Sequence, residues 1–128
     1  MNATMTNVFS YLKAQGLMPT EEEYGISFKY QMKNFIVFSD DDDENFFRLM
    51  LPGIFDVNDE NRGDVLEAAN MTNNDMKAVK VTIFGDNGVW VFFEQFFDST
   101  PVFDDIIPRG INILLASQNN FYENLKKI

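Results

Sequence analysis

Residues 77–97, KAVKVTIFGDNGVWVFFEQFF, decide the fold of this chain. Two apolar runs flank the turn segment Gly85 to Gly88, namely Lys77 to Phe84 before it and Val89 to Phe97 after it. Valine, isoleucine and phenylalanine favour strands, whereas Asp, Asn and Gly tolerate the positive φ angles that tight hairpin turns require. The stretch therefore predicts an antiparallel hairpin whose turn is centred on Asp86 and Asn87.

The length of that turn determines which side chains share a face of the hairpin. A two-residue loop places Val81 opposite Phe92 and Ile83 opposite Trp90, so that these four residues line one dry face. A loop centred one residue later, on Asn87-Gly88, would shift the register by one pair. We expect the two-residue loop.

Three more strands are predicted before this hairpin. Apolar residues alternate with polar ones from Tyr24 to Met32, which is the period of a half-buried strand. A turn at Lys33-Asn34 leads into the apolar run Phe35 to Phe38, and a further strand covers Phe46 to Leu51. Pro52-Gly53 then stops or bends this last strand.

Helical periodicity predicts three helices. The first covers about Thr4 to Gln15, with Gly16 after its end. The second is capped by Asn58 or Asn61 and fades in the polar stretch Thr72 to Asp75. For the third, Thr100 caps a short turn and the main helix starts near Pro108, because a proline inside a helix removes a hydrogen bond. Its buried stripe comprises Ile111, Leu114, Leu115, Gln118, Phe121, Tyr122 and Leu125.

The element order is therefore α-β-β-β-α-β-β-α, which predicts an α+β fold. Hairpin-linked strands pair with one another, and each amphipathic helix must bury its apolar stripe, so we expect one five-stranded antiparallel sheet with helices packed against it. With 128 residues and no linker or repeat, residues 1–128 are expected to form a single domain.

Composition excludes several classes of function. The chain has no His and no Cys, so no Ser-His or Cys-His arrangement can form, and we expect no enzyme, no cofactor and no metal site. Acidic residues outnumber basic ones by 20 to 10, which argues against nucleic acid and anionic membranes as partners. The missing cysteines and the lack of a long apolar segment predict a cytoplasmic protein.

Two acidic stretches leave an alternative open, namely a small-ligand or divalent-cation-binding protein. The run Asp40 to Glu44 is most simply a solvated loop. The segment Asp56 to Glu67 has acid or amide side chains at positions one, three, five, nine and twelve of a calcium-binding loop. However, Asn61 and Gly63 occupy positions where that loop needs a glycine and an apolar residue, so we favour an acidic helix start.

The residues from Val65 to Phe93 carry a family resemblance. The helix ending Asn70-Met71-Thr72-Asn73, the strand Val79 to Phe84, the turn Asp86-Asn87-Gly88 and the strand Val89 to Phe93 resemble the YbjN-like family of proposed sensory transduction regulators. The element order also resembles the type III secretion chaperone fold, whose members are small, acidic, commonly dimeric and bind other proteins. The resemblance implies a binding or regulatory module without catalytic residues.

A partner-binding surface follows from strict alternation along the strands. The expectation assumes that the helices cover the hairpin face formed by Val79, Val81, Ile83, Trp90 and Phe92. Val89, Val91 and Phe93 then lie on the opposite face, and Phe46 and Met50 join them if the third strand points Phe47, Leu49 and Leu51 inward. A monomer would expose these apolar side chains together, so we expect homodimerisation through them. The alternative is that the C-terminal helix covers this face within one chain. We therefore predict a non-enzymatic protein-binding module, chaperone-like or regulatory, whose partner protein the sequence does not identify.

Overall fold

In the part of the chain that the structure describes, three helices pack on one face of a six-stranded antiparallel sheet. The computed structural model describes residues 1–98 and 101–128. The elements are α1 (Ala3–Ala14), β1 (Thr20–Glu22), β2 (Gly25–Tyr30), β3 (Lys33–Phe38), β4 (Phe46–Asp56), α2 (Arg62–Asp75), β5 (Val79–Phe84), β6 (Gly88–Phe96) and α3 (Phe103–Lys126). The strand order across the sheet is β1-β2-β3-β4-β6-β5. The α+β class and the three helices are confirmed.

The prediction of five strands was wrong, because β1 adds a sixth at one edge. This strand pairs with β2 from Thr20↔Ser27 to Glu22↔Gly25, and all three of its residues are exposed. A strand that forms only backbone hydrogen bonds and buries no side chain leaves no apolar alternation in the sequence. The acidic run from Glu21 therefore predicted solvent exposure correctly but gave no indication of a strand.

The hairpin between β2 and β3 turns two residues earlier than predicted. Tyr30 pairs with Lys33, so Gln31 and Met32 form the two-residue turn instead of Lys33-Asn34. Both turn residues have positive φ angles, 50° and 64°. Such a turn usually carries Asn or Gly, and the Gln-Met pair therefore gives no turn signal in the sequence.

The register of the β5–β6 hairpin also differs from the prediction. Phe84 pairs with Gly88, which leaves a three-residue loop from Gly85 to Asn87, with Gly85 at φ 70°. Consequently Val81 lies opposite Val91, not Phe92. Because side chains alternate along a strand, moving the pairing by one residue on one strand reverses the faces of that whole strand.

Strand β4 continues through Pro52-Gly53 and bends there. Its pairing with β6 shifts between Leu51 and Phe55, which is a β-bulge, and Gly53 has a φ of 57°. Of the two outcomes expected at Pro52-Gly53, a stop or a bend, the bend occurs, and the five residues that continue the strand to Asp56 were not predicted.

The first two helices start close to their predicted positions. The Asn2 side chain accepts a hydrogen bond from the Met5 amide at the start of α1. Before α2, the Asn58 and Asn61 side chains each accept a hydrogen bond from the other's backbone amide at 2.8 Å. The second helix runs to Asp75 and therefore includes the polar stretch in which we expected it to fade.

Helix α3 is one continuous helix of 24 residues, so the prediction of a short turn followed by a main helix near Pro108 was wrong. Pro108 removes the amide that would bond to the carbonyl of Asp104, an exposed residue in the first turn, where water can replace it. The predicted cap, Thr100, lies outside the described residues. Of the predicted buried stripe, Ile111, Leu114, Gln118 and Phe121 are buried, whereas Leu115, Tyr122 and Leu125 are half-buried against the core.

The hydrophobic core lies between the helices and one face of the sheet. Its strand members alternate with residues of the opposite face, and its largest fully buried side chains are Phe35, Phe47, Phe121, Leu12, Ile26, Leu49, Ile107 and Leu114. Helix α3 comes closest to the sheet at Gly110, where an added Cβ would lie 3.0 Å from side-chain carbons of Leu49 and Phe93. No helix in the described residues is long and apolar enough to cross a membrane.

Candidate functional site: the open face of the sheet

The five residues predicted to bind a partner do not share a face. Val89, Val91 and Phe93 belong to the hydrophobic core, with exposed fractions of 0%, 0% and 9%. Phe46 and Met50 lie on the other side of the sheet. The two-residue hairpin loop that assigned the first three residues to the helix-free side does not form. The five residues therefore do not form one surface, and only Phe46 and Met50 lie on the predicted, helix-free side of the sheet.

The helix-free side of the sheet, called the open face below, carries an aromatic surface. Alternation along the four strands β3, β4, β6 and β5 directs the following side chains to it: Ile36, Phe38, Phe46, Arg48, Met50, Lys80, Thr82, Phe84, Trp90, Phe92, Glu94 and Phe96. Six of these twelve are aromatic. Such a surface on the solvent side of a sheet is unusual, since that side normally alternates to polar residues.

The centre of the open face is packed, whereas its ends are exposed. Phe92 and Met50 are only 2% and 5% exposed, although they lie outside the helix-covered core. Neighbouring side chains on the same face cover them. Phe84 and Phe96, by contrast, are 47% and 72% exposed. The open face therefore has a packed centre, and large apolar side chains are exposed at both of its ends.

Aromatic contacts connect the rings along this face. Trp90 lies 4.8 Å from Phe84 and 6.4 Å from Phe92 between ring centroids, and Phe84 lies 5.3 Å from Phe92. At the other end, Phe46 and Phe96 are 5.2 Å apart. Pairs at these separations stabilise one another by about 0.5–1.5 kcal/mol beyond area burial. The rings therefore hold one another in place.

Three charged side chains form an ion-pair cluster on the open face. The Arg48 Nε donates to Glu94 Oε2 at 2.6 Å, and the Lys80 Nζ lies 3.1 Å from Glu94 Oε1. Partial burial raises the pKa of the Glu94 carboxyl, but hydrogen bonds from Lys80 and Arg48, together with their charges, outweigh it, so the pKa lies below its usual range. Glu94 therefore stays ionised at neutral pH.

The guanidinium of Arg48 also lies over aromatic rings. Its central carbon is 5.2 Å from the Phe38 centroid, 5.1 Å from Phe46 and 5.6 Å from Phe92. Cation–π attraction at such distances is worth about 0.5–2 kcal/mol, more when water is excluded. Arg48 thus contacts aromatic rings on three strands of the open face and covers part of its packed centre.

Both edges of the sheet are protected against further strand pairing. On β5, the Asn73 side chain donates to the Val81 carbonyl at 3.1 Å and accepts from the Val81 amide at 2.7 Å. One side-chain amide therefore occupies the position of a neighbouring strand. The other edge, β1, is only three residues long and acidic. Neither edge is therefore well suited to pairing with a further strand.

The acidic stretches do not converge on a cation site in the described residues, which contain no group of three or more acidic residues placed to hold a metal ion. In the run Asp40 to Glu44, Asp40 and Asp43 accept hydrogen bonds from the backbone two residues later. In the other stretch, the Asn61 side chain donates to the Asp56 carbonyl at the start of α2. Both stretches have local structural roles.

Sequence reasoning missed Trp90, Phe92, Arg48, Lys80 and Glu94 as members of this surface. A signal for them was present, because Arg48 and Glu94 each interrupt an otherwise apolar run in a predicted strand. Opposite charges at the centres of two strands indicate a cross-strand pair on the side facing water. Because side chains alternate along a strand, the position of that pair also determines which residues of each strand face the helices.

No family model matches the chain, and no curated protein matches its sequence. Among solved structures, an uncharacterised protein from Methanothermobacter thermautotrophicus is similar with a TM-score of 0.69, 12% identity and 97% of each chain covered. YbjN from E. coli, described as a proposed transcription regulator, is similar with a TM-score of 0.70 and 8% identity, over 93% of this chain and 89% of YbjN. The chain has a YbjN-like fold.

Proposed function

We propose that this chain is a non-enzymatic protein-binding module that acts through the open face and forms a homodimer there. The observation that carries the proposal is the cluster of partly exposed rings around Phe92, with Trp90 and Phe84 on one side and Phe96 on the other. Arginine and aromatic residues, tryptophan among them, are enriched at protein interfaces and among the residues that contribute most of the binding energy. A regulatory role in the cytoplasm would fit such a module.

The size of the open face supports a protein partner. Four strands spaced by ~4.8 Å, with about 20–30 Å of strand length, give a projected area of roughly 500 Å². A specific interface needs at least about 500 Å² from each partner. Each large apolar side chain buried there contributes about 1.5–3 kcal/mol. The face is therefore large enough for a weak or moderate complex.

The open face lacks the negative charge of the rest of the molecule. Its twelve side chains include two cations, Arg48 and Lys80, and one anion, Glu94, so their sum is +1 in a chain of net charge −10. Two copies therefore repel each other least when their open faces meet. The remaining negative charge still opposes association, so salt should strengthen a homodimer and weaken a complex with a basic partner.

Sedimentation velocity over a range of concentrations tests the homodimer. Phe84→Asp and Phe96→Asp place a charge among exposed rings without disturbing the core, and we expect both variants to be folded monomers. Met32→Asp is the matched control, since Met32 is 98% exposed and lies in a turn. A wild-type protein that is monomeric at high micromolar concentration in high salt would refute the homodimer.

Affinity capture with the wild-type chain tests binding to another protein. Partners that bind the wild-type protein and Met32→Asp, but not Phe96→Asp, would support the open face as the site. Partners retained equally by Phe96→Asp would place the site elsewhere. Absence of both self-association and any specific partner would refute the protein-binding function itself.

A further inference from the structure

A hollow of about 650 Å³ lies on the helix side of the sheet, away from the open face. It is bounded by the start of β5, the end of β6 and the first half of α3. Strand β5 begins at Val79, which pairs with Phe93, so Gln95 of β6 has no neighbour on β5. The missing strand partner leaves space between β6 and α3, and the volume is that of a small-molecule site.

One stripe of α3 forms a wall of the hollow, in which three of the four side chains are apolar. Ile106, Arg109, Ile113 and Ala116 are spaced by three, four and three residues, which places them on one side of the helix. This stripe is next to the one that packs into the core. Phe93 supplies the floor. Ile106 and Ile113 remain half-buried, because no other element of the described residues covers them.

Four side chains that can donate hydrogen bonds lie around the hollow. Within the described residues, the side chains of Lys77, Gln95, Arg109 and Asn112 form neither a hydrogen bond nor an ion pair. Asp105 also lines the hollow, yet it forms no ion pair with Arg109 one turn later.

Polar side chains further along α3 are used differently. Asn124 donates to the Thr72 hydroxyl at 3.1 Å and to the Asn120 side chain at 2.8 Å, and Gln118 donates to the Tyr122 hydroxyl at 2.9 Å. The second half of the helix therefore uses its polar groups to hold the fold together. The donors around the hollow are not needed for that purpose, and two of them are cations in a chain with twice as many acids as bases.

We propose that the hollow binds a small amphipathic carboxylate. The apolar tail lies along Ile106, Ile113 and Phe93, and the carboxylate accepts hydrogen bonds from the Arg109 guanidinium and the Lys77 ammonium at the rim. Charge-assisted hydrogen bonds of this kind are stronger than neutral ones, and guanidinium matches the two oxygens of a carboxylate. Asp105 disfavours ligands with a second negative charge, so a monoanion is the class that fits.

Titration calorimetry with sodium octanoate tests this site on the full chain. We expect saturable binding in the millimolar range or tighter, and about tenfold weaker binding by Arg109→Gln, because one charge-assisted contact is lost. Ala116→Trp, at an exposed position, should fill the hollow and abolish binding while the circular dichroism spectrum stays unchanged. Lys127→Gln removes an exposed cation elsewhere and should bind like the wild type.

Three results would overturn the proposal. They are no saturable binding of octanoate, equal binding by the wild type, Arg109→Gln and Ala116→Trp, or binding of octylamine as tight as that of octanoate. The first removes the site, the second places the ligand elsewhere, and the third removes the carboxylate class. None of them bears on the open face, because Phe84 and Phe96 do not line the hollow.

Discussion

Replacing Gly110 by alanine tests how closely α3 approaches the sheet. The new Cβ would lie 3.0 Å from Leu49 Cδ2 and 3.0 Å from Phe93 Cδ2, whereas carbon atoms in favourable contact are about 3.5–4.0 Å apart. Leu49 is fully buried and cannot move without displacing the core, and Phe93, which borders the hollow, is 9% exposed. Overpacking of this kind costs about 1–3 kcal/mol.

A second effect acts in the opposite direction, because alanine is favoured over glycine in a helix by about 1 kcal/mol. The net expectation for Gly110→Ala is a loss of stability of about 1 kcal/mol. Gly63→Ala is the matched control, since Gly63 is also helical and a Cβ there meets nothing within 4 Å. We expect Gly63→Ala to be as stable as the wild type or slightly more stable.

Urea denaturation followed by circular dichroism measures both variants. At constant slope of free energy against urea, a lower midpoint for Gly110→Ala and an equal or higher midpoint for Gly63→Ala would agree with the close approach. If Gly110→Ala were stabilised as much as the control, α3 could not lie as near to β4 and β6 as described.

Two further predictions concern the sheet edge and the ion-pair cluster. Asn73→Ala removes both hydrogen bonds at the β5 edge and should cost about 1–3 kcal/mol and promote concentration-dependent aggregation, measured by light scattering, whereas Asn74→Ala, at an exposed neighbouring position, should do neither. The pKa of Glu94 is lower in the folded protein than its usual value of 4.5, so the ionised carboxylate stabilises the fold above that pH and this contribution is lost as the pH falls through the folded pKa. The urea midpoint of the wild type should therefore exceed that of Glu94→Gln at neutral pH and approach it in strong acid, and a difference that does not depend on pH would contradict this assignment.

Most of the fold could be predicted because the helices and inner strands bury side chains with a clear period. Helix α1 and the inner strands β2 and β3 carry this signal, as their buried residues recur at helical or alternating spacing. Strand β1 carries none, since backbone pairing alone holds it. Helix α3 was divided wrongly at Pro108, because the cost of a proline depends on whether water reaches the carbonyl one turn earlier.

The candidate site was harder to predict, because it depends on a single residue in a turn. The segment from Gly85 to Gly88 is compatible with loops of two or three residues, and only the packing of β6 against α3 selects between them. Both faces of β6 are apolar, with Val91 and Phe93 on one side and Trp90 and Phe92 on the other. Hydrophobicity therefore did not distinguish the buried face, whereas the Arg48–Glu94 pair, which the prediction did not use, would have done so.

The position of Trp90 makes the two proposals separately observable by fluorescence. It is the only tryptophan of the chain, and it lies on the open face beside Phe84. A protein that covers this face should shift the emission spectrum and reduce quenching by acrylamide, without any attached label. Octanoate in the hollow, on the opposite side of the sheet, should leave the emission unchanged.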